Sequence, residues 1–332
     1  YHGWFSYLGF HRLAINGCDE KSNQPFNFDY GGLICNGEIY NWKELYKIVD
    51  KDGTKRNTNS DCEVIIHLYR QFGIEQTLQM LDGVFAFVLY DPLKECMYVA
   101  RDTYGVRPLF VGVQKGETRV HDKHIFTSEM KMSGFEDVEF KQFEPGTYSK
   151  YRYEDLNPNN DSNDRECKLV PEYTNRVFSK PTSFVNECIY NEQMACELIH
   201  NTLVEAVRKR VDNTERDIAC LLSGGLDSSL ICGIVTKCLL EQGKKIKLNT
   251  WSIGLEGSED IKYARKVAEY IGSEHHEVIV SEKEFLDYIK KVIYDIESYD
   301  TTTVRASVGN WLISKYISET SESKVIFNGD GS

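Results

Sequence analysis

Apolar and polar positions follow two different rhythms along this chain, and the change falls near residue 190. Before it the apolar residues come in short blocks. Val84-Phe85-Ala86-Phe87-Val88-Leu89-Tyr90 is a continuous apolar run, Asp91-Pro92-Leu93-Lys94-Glu95 breaks it, and Cys96-Met97-Tyr98-Val99-Ala100 resumes it. That pattern predicts a buried hairpin. Pro108 to Val113 and Ile125-Phe126-Thr127 continue the sheet, and Phe10 to Ile15 and Gly32 to Cys35 read as further strands. The clearest helix opens at Ser60, with Glu63 as its capping-box partner. It repeats apolar residues at Val64, Ile65, Leu68, Tyr69 and Phe72 and closes at Gly73.

After 190 strand and helix alternate. The pattern predicts a helix over about 191–211, a strand over 217–222, a helix over 228–242 and a strand over 247–254. A helix over 259–271 ended at Gly272, a strand over 276–280, helices over about 283–297 and 306–320, and a last strand from Lys324 to Phe327 follow. Such alternation predicts a mostly parallel sheet covered by helices on both faces. Ligands of such sheets bind beyond the carboxyl ends of the strands. The loop after Leu222, Gly254, and Asn328 to Ser332 should therefore share one rim. Leu156 to Asp164 is polar and turn-rich, which sets the expected division: a domain over 1–155, a linker over 156–190 and a domain over 191–332.

Composition narrows the class. A length of 332 residues fits about two domains, and 39 basic against 51 acidic residues give a net charge of −12. That balance argues against nucleic acid or an anionic membrane surface as a partner. No apolar run approaches the roughly 18–20 residues of a membrane span, and the first residues do not resemble a signal peptide. Ten cysteines without a Cys-x-x-Cys pair read as reduced core residues of a cytoplasmic protein.

Ser223-Gly224-Gly225-Leu226-Asp227-Ser228-Ser229 joins an apolar strand to a helix start. A glycine turn at that junction aims backbone N–H groups and a helix dipole at one spot, which suits pyrophosphate. A Walker A loop would carry a lysine, whereas the charged residue here is Asp227. A carboxylate beside polyphosphate makes sense if it holds Mg²⁺. Between two helices, Glu297 to Ser307 gathers Arg305, Thr302, Thr303 and two acids. An arginine grips a carboxylate bidentately, and hydroxyls and acids take the rest of a small zwitterion. Asn36-Gly37-Glu38 offers an amide and a glycine N–H, the elements of an oxyanion hole, with Arg12 and Asp61 to hold the charged ends of an amino acid. His275 and His276 are neighbours on a strand and point to opposite faces, so they do not make a metal site. Cys35 reads as a buried strand residue.

These residues together resemble the glutamine-hydrolysing asparagine synthetase family. His11-Arg12-Leu13-Ala14-Ile15, Gln24-Pro25, Asn36 to Asn41, Ser60 to Glu63, Gly83 to Phe87, Arg101 to Leu109, Ser128 to Lys131 and Pro145-Gly146 are similar to its glutaminase domain. The Ser223 loop, Ser252 to Leu255, Asp300 to Ser307 and Gly329 to Ser332 are similar to its synthetase domain. The resemblance implies an N-terminal-nucleophile hydrolase αββα sandwich, α+β and incomplete. An incomplete α/β doubly wound parallel-sheet ATP-pyrophosphatase domain would follow it.

It implies asparagine biosynthesis: ATP-dependent amidation of aspartate through β-aspartyl-AMP, with ammonia from glutamine. Arg12, Leu13, Asn36, Gly37, Glu38 and Asp61 would bind glutamine. Leu221, Leu222, Ser223, Gly224, Gly225, Asp227, Ser228, Ile253, Asn328 and Gly329 would bind ATP and its pyrophosphate, Asp227 would hold Mg²⁺, and Thr302, Thr303 and Arg305 would contact aspartate. Asn36, Gly37 and Asp330 would act at the reacting atoms. The implied partners are glutamine, aspartate and ATP, with no nucleic acid and no membrane, and a homodimer is compatible with the family.

Three departures accompany the resemblance. The family's nucleophile is an N-terminal cysteine, whereas residue 1 is tyrosine and no cysteine precedes Cys18; the chain stops at Ser332; and Asn328-Gly329-Asp330-Gly331-Ser332 stands where the family has Ser-Gly-Glu-Gly-Ser. The expectation is a chain truncated at both ends, without glutaminase activity of its own. The alternatives are another amidotransferase or β-lactam-type synthetase on this scaffold, or a degenerate nucleotide-binding homologue without turnover.

Overall fold

The computed structural model describes residues 6–29, 31–116, 122–132, 134, 137–155, 167–180, 191–243 and 247–330. The chain separates into two compact units, Tyr1–Phe184 and Val185–Ser332. The whole turn-rich stretch from Leu156 to Asp164, and Gly331 and Ser332 of the terminal motif, lie outside the described residues.

The first unit comprises β1 (Phe26–Phe28), β2 (Gly31–Ile39), α1 (Trp42–Val49), α2 (Val64–Met80), β3 (Gly83–Asp91), β4 (Cys96–Arg101), β5 (Phe110–Gln114), β6 (Lys123–Thr127), β7 (Phe140–Gln142), β8 (Thr147–Asp155) and β9 (Cys167–Val177). Six strands form an antiparallel sheet in the order β1-β2-β3-β4-β8-β9, and β6-β5-β7 form a second sheet. The predicted hairpin is β3–β4, with Asp91 opposite Cys96. Its apolar run is continuous because both faces are covered. Phe85, Phe87 and Leu89 pack with Leu45, Tyr46, Ile65, Leu68 and Tyr69 of the two helices. Ala86 and Val88 pack on the other face with Val99, Leu109 and Phe143, and with Val111 and Phe126 of the small sheet. The layers are thus helices, large sheet, small sheet; among the described residues no α-helix covers the small sheet, so three layers of the expected sandwich are described.

Three local expectations change. Residues 6–14, read as containing a strand, pair with no other strand. The helix does not end at Gly73: that residue, at φ 77° and ψ 173°, kinks α2, which resumes to Met80. Ser60 caps the short 3₁₀ turn Asp61–Glu63 through the Cys62 N–H rather than a capping box. Glu63 turns back instead and accepts from Asn57 N (2.8 Å), Thr58 N (2.7 Å) and the His67 ring (3.0 Å).

The second unit runs α3 (Glu192–Val211), β10 (Ile218–Leu221), α4 (Leu226–Glu241), β11 (Asn249–Gly254), α5 (Glu259–Ile271), β12 (Glu274–Ile279), α6 (Glu282–Ile296), α7 (Thr301–Thr320) and β13 (Val325–Phe327). Its four strands are all parallel, in the order β12-β11-β10-β13. From β10 the chain winds outward through β11 and β12, then returns to place β13 on the other side. The sheet is therefore doubly wound, and its topological switch point lies between β10 and β13, where open α/β sheets form their ligand crevice. Cys220, Leu222 and Phe327 face α3, α4 and α5. Ala219, Trp251 and Val278 face α7, which packs in turn on α6. Of the eight described free cysteines six are buried, in keeping with core roles.

Candidate functional sites in the two units

In the first unit the site is built on the edge of β2. The short β1 pairs only with Gly31 to Leu33, so Cys35 to Ile39 have β3 on one side and, among the described residues, no strand on the other. Phe85 N donates to Asp102 (3.2 Å), away from β2, which makes the opposed residues Gly37 and Phe85 a non-hydrogen-bonded pair. Alternate residues of a strand present their backbone groups to the same side. Cys35, Gly37 and Ile39 therefore all present N–H and C=O to the open edge.

Three side chains occupy that edge. The Gln24 carboxamide clamps Cys35, accepting from its N–H at 2.6 Å and donating to its carbonyl at 3.0 Å. The Asp61 carboxylate accepts from Ile39 N at 2.7 Å. The Cys62 thiol donates to the Gly37 carbonyl at 3.5 Å. Between them the Gly37 N–H has no acceptor among the described residues. Gly37 must be glycine here, since a Cβ would lie 2.4 Å from the Val84 carbonyl oxygen. Hydrogen bonding to Cys35, together with burial, pushes the Cys62 thiol well up. Cys35 is itself a buried strand residue, as its position in the apolar pattern implies.

Arg12 donates to the Asn16 carbonyl and to Asn23 Oδ1 (3.5 Å), one residue from Gln24. Asn36 and Glu38 point to the opposite face of β2 from Cys35. The Glu38 carboxylate pairs with Arg107 at 3.0 Å. Leu13 is exposed. The loop carrying Arg107 is fixed by two buried charges. Asp102 accepts from the N–H groups of Tyr104 (3.1 Å), Val106 (2.9 Å) and Arg107 (3.1 Å), while Arg101 donates to the carbonyls of Gly105 (2.7 Å), Arg107 (2.8 Å) and Phe143 (2.6 Å). Gln24, Asp102 and Arg107 were not singled out by chemistry in the sequence, although each stands in a segment that carries the resemblance. The available signal was a polar residue wedged beside a proline or an apolar strand.

In the second unit the site lies at the switch point. Gly224 takes φ +83°, and a Cβ on it would meet Ala264 N at 2.4 Å, so α5 holds the loop close. Ser228 Oγ ties the loop internally, lying 2.9 Å from Ser223 Oγ and accepting from Ser223 N at 3.2 Å. Gly225 is the N-cap of α4 and supplies no capping side chain, so the first N–H groups of α4 face outward. An uncapped helix start of this kind suits an anion. Asp227 is exposed in that first turn. Gly329, after β13, packs against Asp227 and Ser228, which brings Asn328 to Asp330 beside the same helix start. Leu221, Leu222 and Ile253 end β10 and β11 on this rim, and Leu222 N donates to the Trp251 carbonyl at 2.8 Å.

Helix α7 leads into β13 through a short connection and runs against the strands, so its N-terminus lies on the rim side. It starts at Thr301, five residues earlier than the apolar pattern suggested, because Asp300 caps it. Thr303 donates to Asp300 through its N–H and its hydroxyl, both at 2.8 Å, and these bonds hold the Asp300 carboxyl below its usual range. Thr303 is thus a capping residue, while Thr302 and Arg305 share a helix flank, exposed and three residues apart. Asn310 of α7 donates to Asp330 at 3.4 Å. At 1.5 Å per residue Arg305 lies about 7–8 Å further along the helix.

His275 and His276 do turn to opposite faces: His275 binds Thr250 (3.0 Å) and Ser252 (3.1 Å), while His276 stacks on Trp251. No cluster of three metal-ligating side chains occurs among the described residues, and no described helix is long and apolar enough to cross a membrane.

The family described as glutamine amidotransferase domain matches residues 4–160, and that described as asparagine synthase matches residues 198–332. The asparagine synthetase [glutamine-hydrolyzing] of Gallus gallus is 42% identical over 340 residues, covering 98% of this chain and 58% of the relative. That of Homo sapiens is 41% identical over 338 residues with the same coverage. This chain thus spans 58% of the length of the curated relatives it matches. A solved glutamine phosphoribosylpyrophosphate amidotransferase from B. subtilis aligns with 92% of this chain and 73% of its own, at 16% identity and a TM-score of 0.34. The chain belongs to the glutamine-hydrolysing asparagine synthetase family, with a glutamine amidotransferase domain followed by an asparagine synthase domain.

Proposed function

We propose that this chain takes part in asparagine synthesis from aspartate, glutamine and ATP in the cytoplasm. The single observation that carries the reading is the lysine-free loop Ser223 to Ser228. It lies at the switch point of a doubly wound sheet, with an uncapped helix behind it and Gly329 closed against it. Such a loop holds pyrophosphate through backbone N–H groups alone and has no side chain suited to γ-phosphoryl transfer.

In the first unit glutamine lies along the open edge of β2. Arg12 grips the α-carboxylate, beside the backbone of Leu13, and Asp61 and Glu38 take the ammonium end. The Gly37 N–H and the Asn36 amide donate to the amide oxygen of glutamine, the oxygen that gains charge in acyl transfer. In the second unit the ends of β10 and β11 at Leu221, Leu222 and Ile253, with Asn328 and Gly329, hold the adenosine part. Ser223, Gly224, Gly225 and Ser228 hold the pyrophosphate. Thr302 and Arg305 orient aspartate, with Thr303 fixing the helix start beneath them, and Asp330 stands beside the reacting carboxylate.

A β-carboxylate oxygen of aspartate bonds to the α-phosphorus of ATP while the bond to the β-phosphate bridging oxygen breaks, releasing pyrophosphate. Ammonia then adds to the acyl carbon, AMP leaves with the bonding pair, and one proton is lost. Mg²⁺ takes one or two carboxylates together with phosphate oxygens, and the exposed Asp227 fits that donor set. Its charge would neutralise the departing pyrophosphate.

The test is aspartate-dependent exchange of labelled pyrophosphate into ATP by the complete gene product. Exchange with aspartate and none with glutamate or succinate is the expected result. Exchange driven equally by other carboxylates would move the substrate assignment elsewhere, and nucleotide binding without exchange would reduce the protein to a binding homologue.

A further inference from the structure

The backbone of β2 from Cys35 to Ile39 is a strand edge with no neighbouring strand among the described residues, yet its outward groups are taken by side chains one after another. Gln24 holds both groups of Cys35, Cys62 holds the Gly37 carbonyl, and Asp61 holds the Ile39 N–H. The Gly37 N–H is the one outward donor between them with no acceptor among the described residues. An exposed strand edge ordinarily presents a row of equivalent donors and acceptors. Here the row has been reduced to one donor.

We infer that Gln24 is a positioning residue for that donor, and that it sets specificity for a ligand carrying a carboxamide. The inference rests on the glutamine-binding reading of this edge. The direction of the Gly37 N–H follows from the peptide plane between residues 36 and 37. That plane is held from one end through Cys35 and from the other through Ile39. Gln24 grips Cys35 with an acceptor and a donor in the geometry of a neighbouring peptide group, so it resists twisting where a single bond would not. The preceding residue, Asn23, accepts from Arg12. Adjacent residues therefore anchor the guanidinium that binds the carboxylate end and the strand that binds the amide end. The spacing between the two is tied to one short piece of backbone, which is how a site measures side-chain length.

Gln24 touches no atom of the ligand in this scheme, so its loss should appear only in the recognition of the amide. The experiment compares glutamine with norvaline, which keeps both charged ends and the carbon chain but lacks the amide. Calorimetric titration of both ligands into the 332-residue chain, into Gln24→Met and into Gln24→Glu supplies the readings. Gln24→Met keeps the length and removes both bonds. Gln24→Glu keeps the acceptor for Cys35 N–H and sets a carboxylate against the Cys35 carbonyl.

The wild-type chain should prefer glutamine. In Gln24→Met that preference should fall about tenfold with norvaline affinity within twofold, and Gln24→Glu should lie between. If Gln24→Met does not fold, the partial loss in Gln24→Glu still carries the test. Equal weakening of both ligands would mean that Gln24 only supports the fold, and an unchanged preference would mean that it does not aim the donor; either overturns the inference. A wild-type chain that binds norvaline as well as glutamine would show that the Gly37 N–H is not used. Failure of the wild-type chain to bind either ligand would instead overturn the glutamine reading on which the inference stands.

Discussion

Gly329 lies so close to the first turn of α4 that a Cβ on it would stand 2.5 Å from Ser228 N and 2.7 Å from the Asp227 carbonyl carbon. The segment after β13 and the loop after β10 are thereby one structure at the switch point, although about a hundred residues separate them in sequence. Gly329→Ala must push the two apart, at a cost of about 1–3 kcal/mol for overpacking. It should also weaken ATP binding about tenfold, because the displaced atoms are the N–H groups proposed above to hold the pyrophosphate. Gly233→Ala, on the same helix with open space at its Cβ, is the control. It should raise stability by about 0.5–1 kcal/mol and leave ATP binding unchanged. Urea unfolding and nucleotide titration of both variants check the contrast.

Arg101 donates to three carbonyls at once, and burial lowers its pKa from the ordinary arginine value. Arg101→Lys keeps the charge but places a point donor where a planar fork is needed, leaving buried carbonyls unpaired. The expected loss of stability is about 2–4 kcal/mol by urea unfolding. A loss below roughly 0.5 kcal/mol, the level of an ordinary surface substitution, would show that the 102–107 loop holds itself.

The doubly wound sheet was legible because its signals are local. Gly272 ends α5 with a left-handed residue, and Ser281 with Glu284 starts α6 with a capping box. Legibility failed where a distant partner decides. Gly73 carries a helix-stop signal, yet Ile74 and Leu78 have core to reach and α2 resumes. The start of α7 was hidden because Thr301 to Thr303 are polar β-branched residues that break the apolar period, and only the cap from Asp300 reveals it. The residue types of the β2 site could be read, whereas Gln24 could not, since its partners are backbone atoms eleven residues away.

Asp227→Asn tests the metal reading. With Mg²⁺ present the substitution should weaken ATP binding about tenfold, because one carboxylate ligand is lost. Without Mg²⁺ it should leave binding unchanged or improve it, because a negative charge beside polyphosphate is removed. Titrations in magnesium and in chelator separate the two cases. Equal weakening in both media would assign Asp227 to the loop's shape.

His275 offers a pH test in the second unit. Its ring lies between Thr250 and Ser252 on β11, a strand that ends on the rim carrying the Ser223 loop, and burial lowers its pKa below the ordinary 6.5. Glu277 works against that shift, while His276 and Arg265 add to it. The folded state therefore resists protonation more than the unfolded chain does. Between the two values the unfolded chain binds more protons, so stability falls as pH falls. The contribution is complete above about pH 6.5, the unfolded value for histidine, and is lost progressively below it. The thermal midpoint of the second unit should decline between pH 7.5 and 5.5, a window above the range in which ordinary carboxylates titrate. His275→Gln keeps a hydrogen-bonding side chain without a titrating ring, and its decline over the same window should be clearly shallower. Parallel curves for the two proteins would assign the pH dependence to other groups and leave His275 a neutral strut between two hydroxyls.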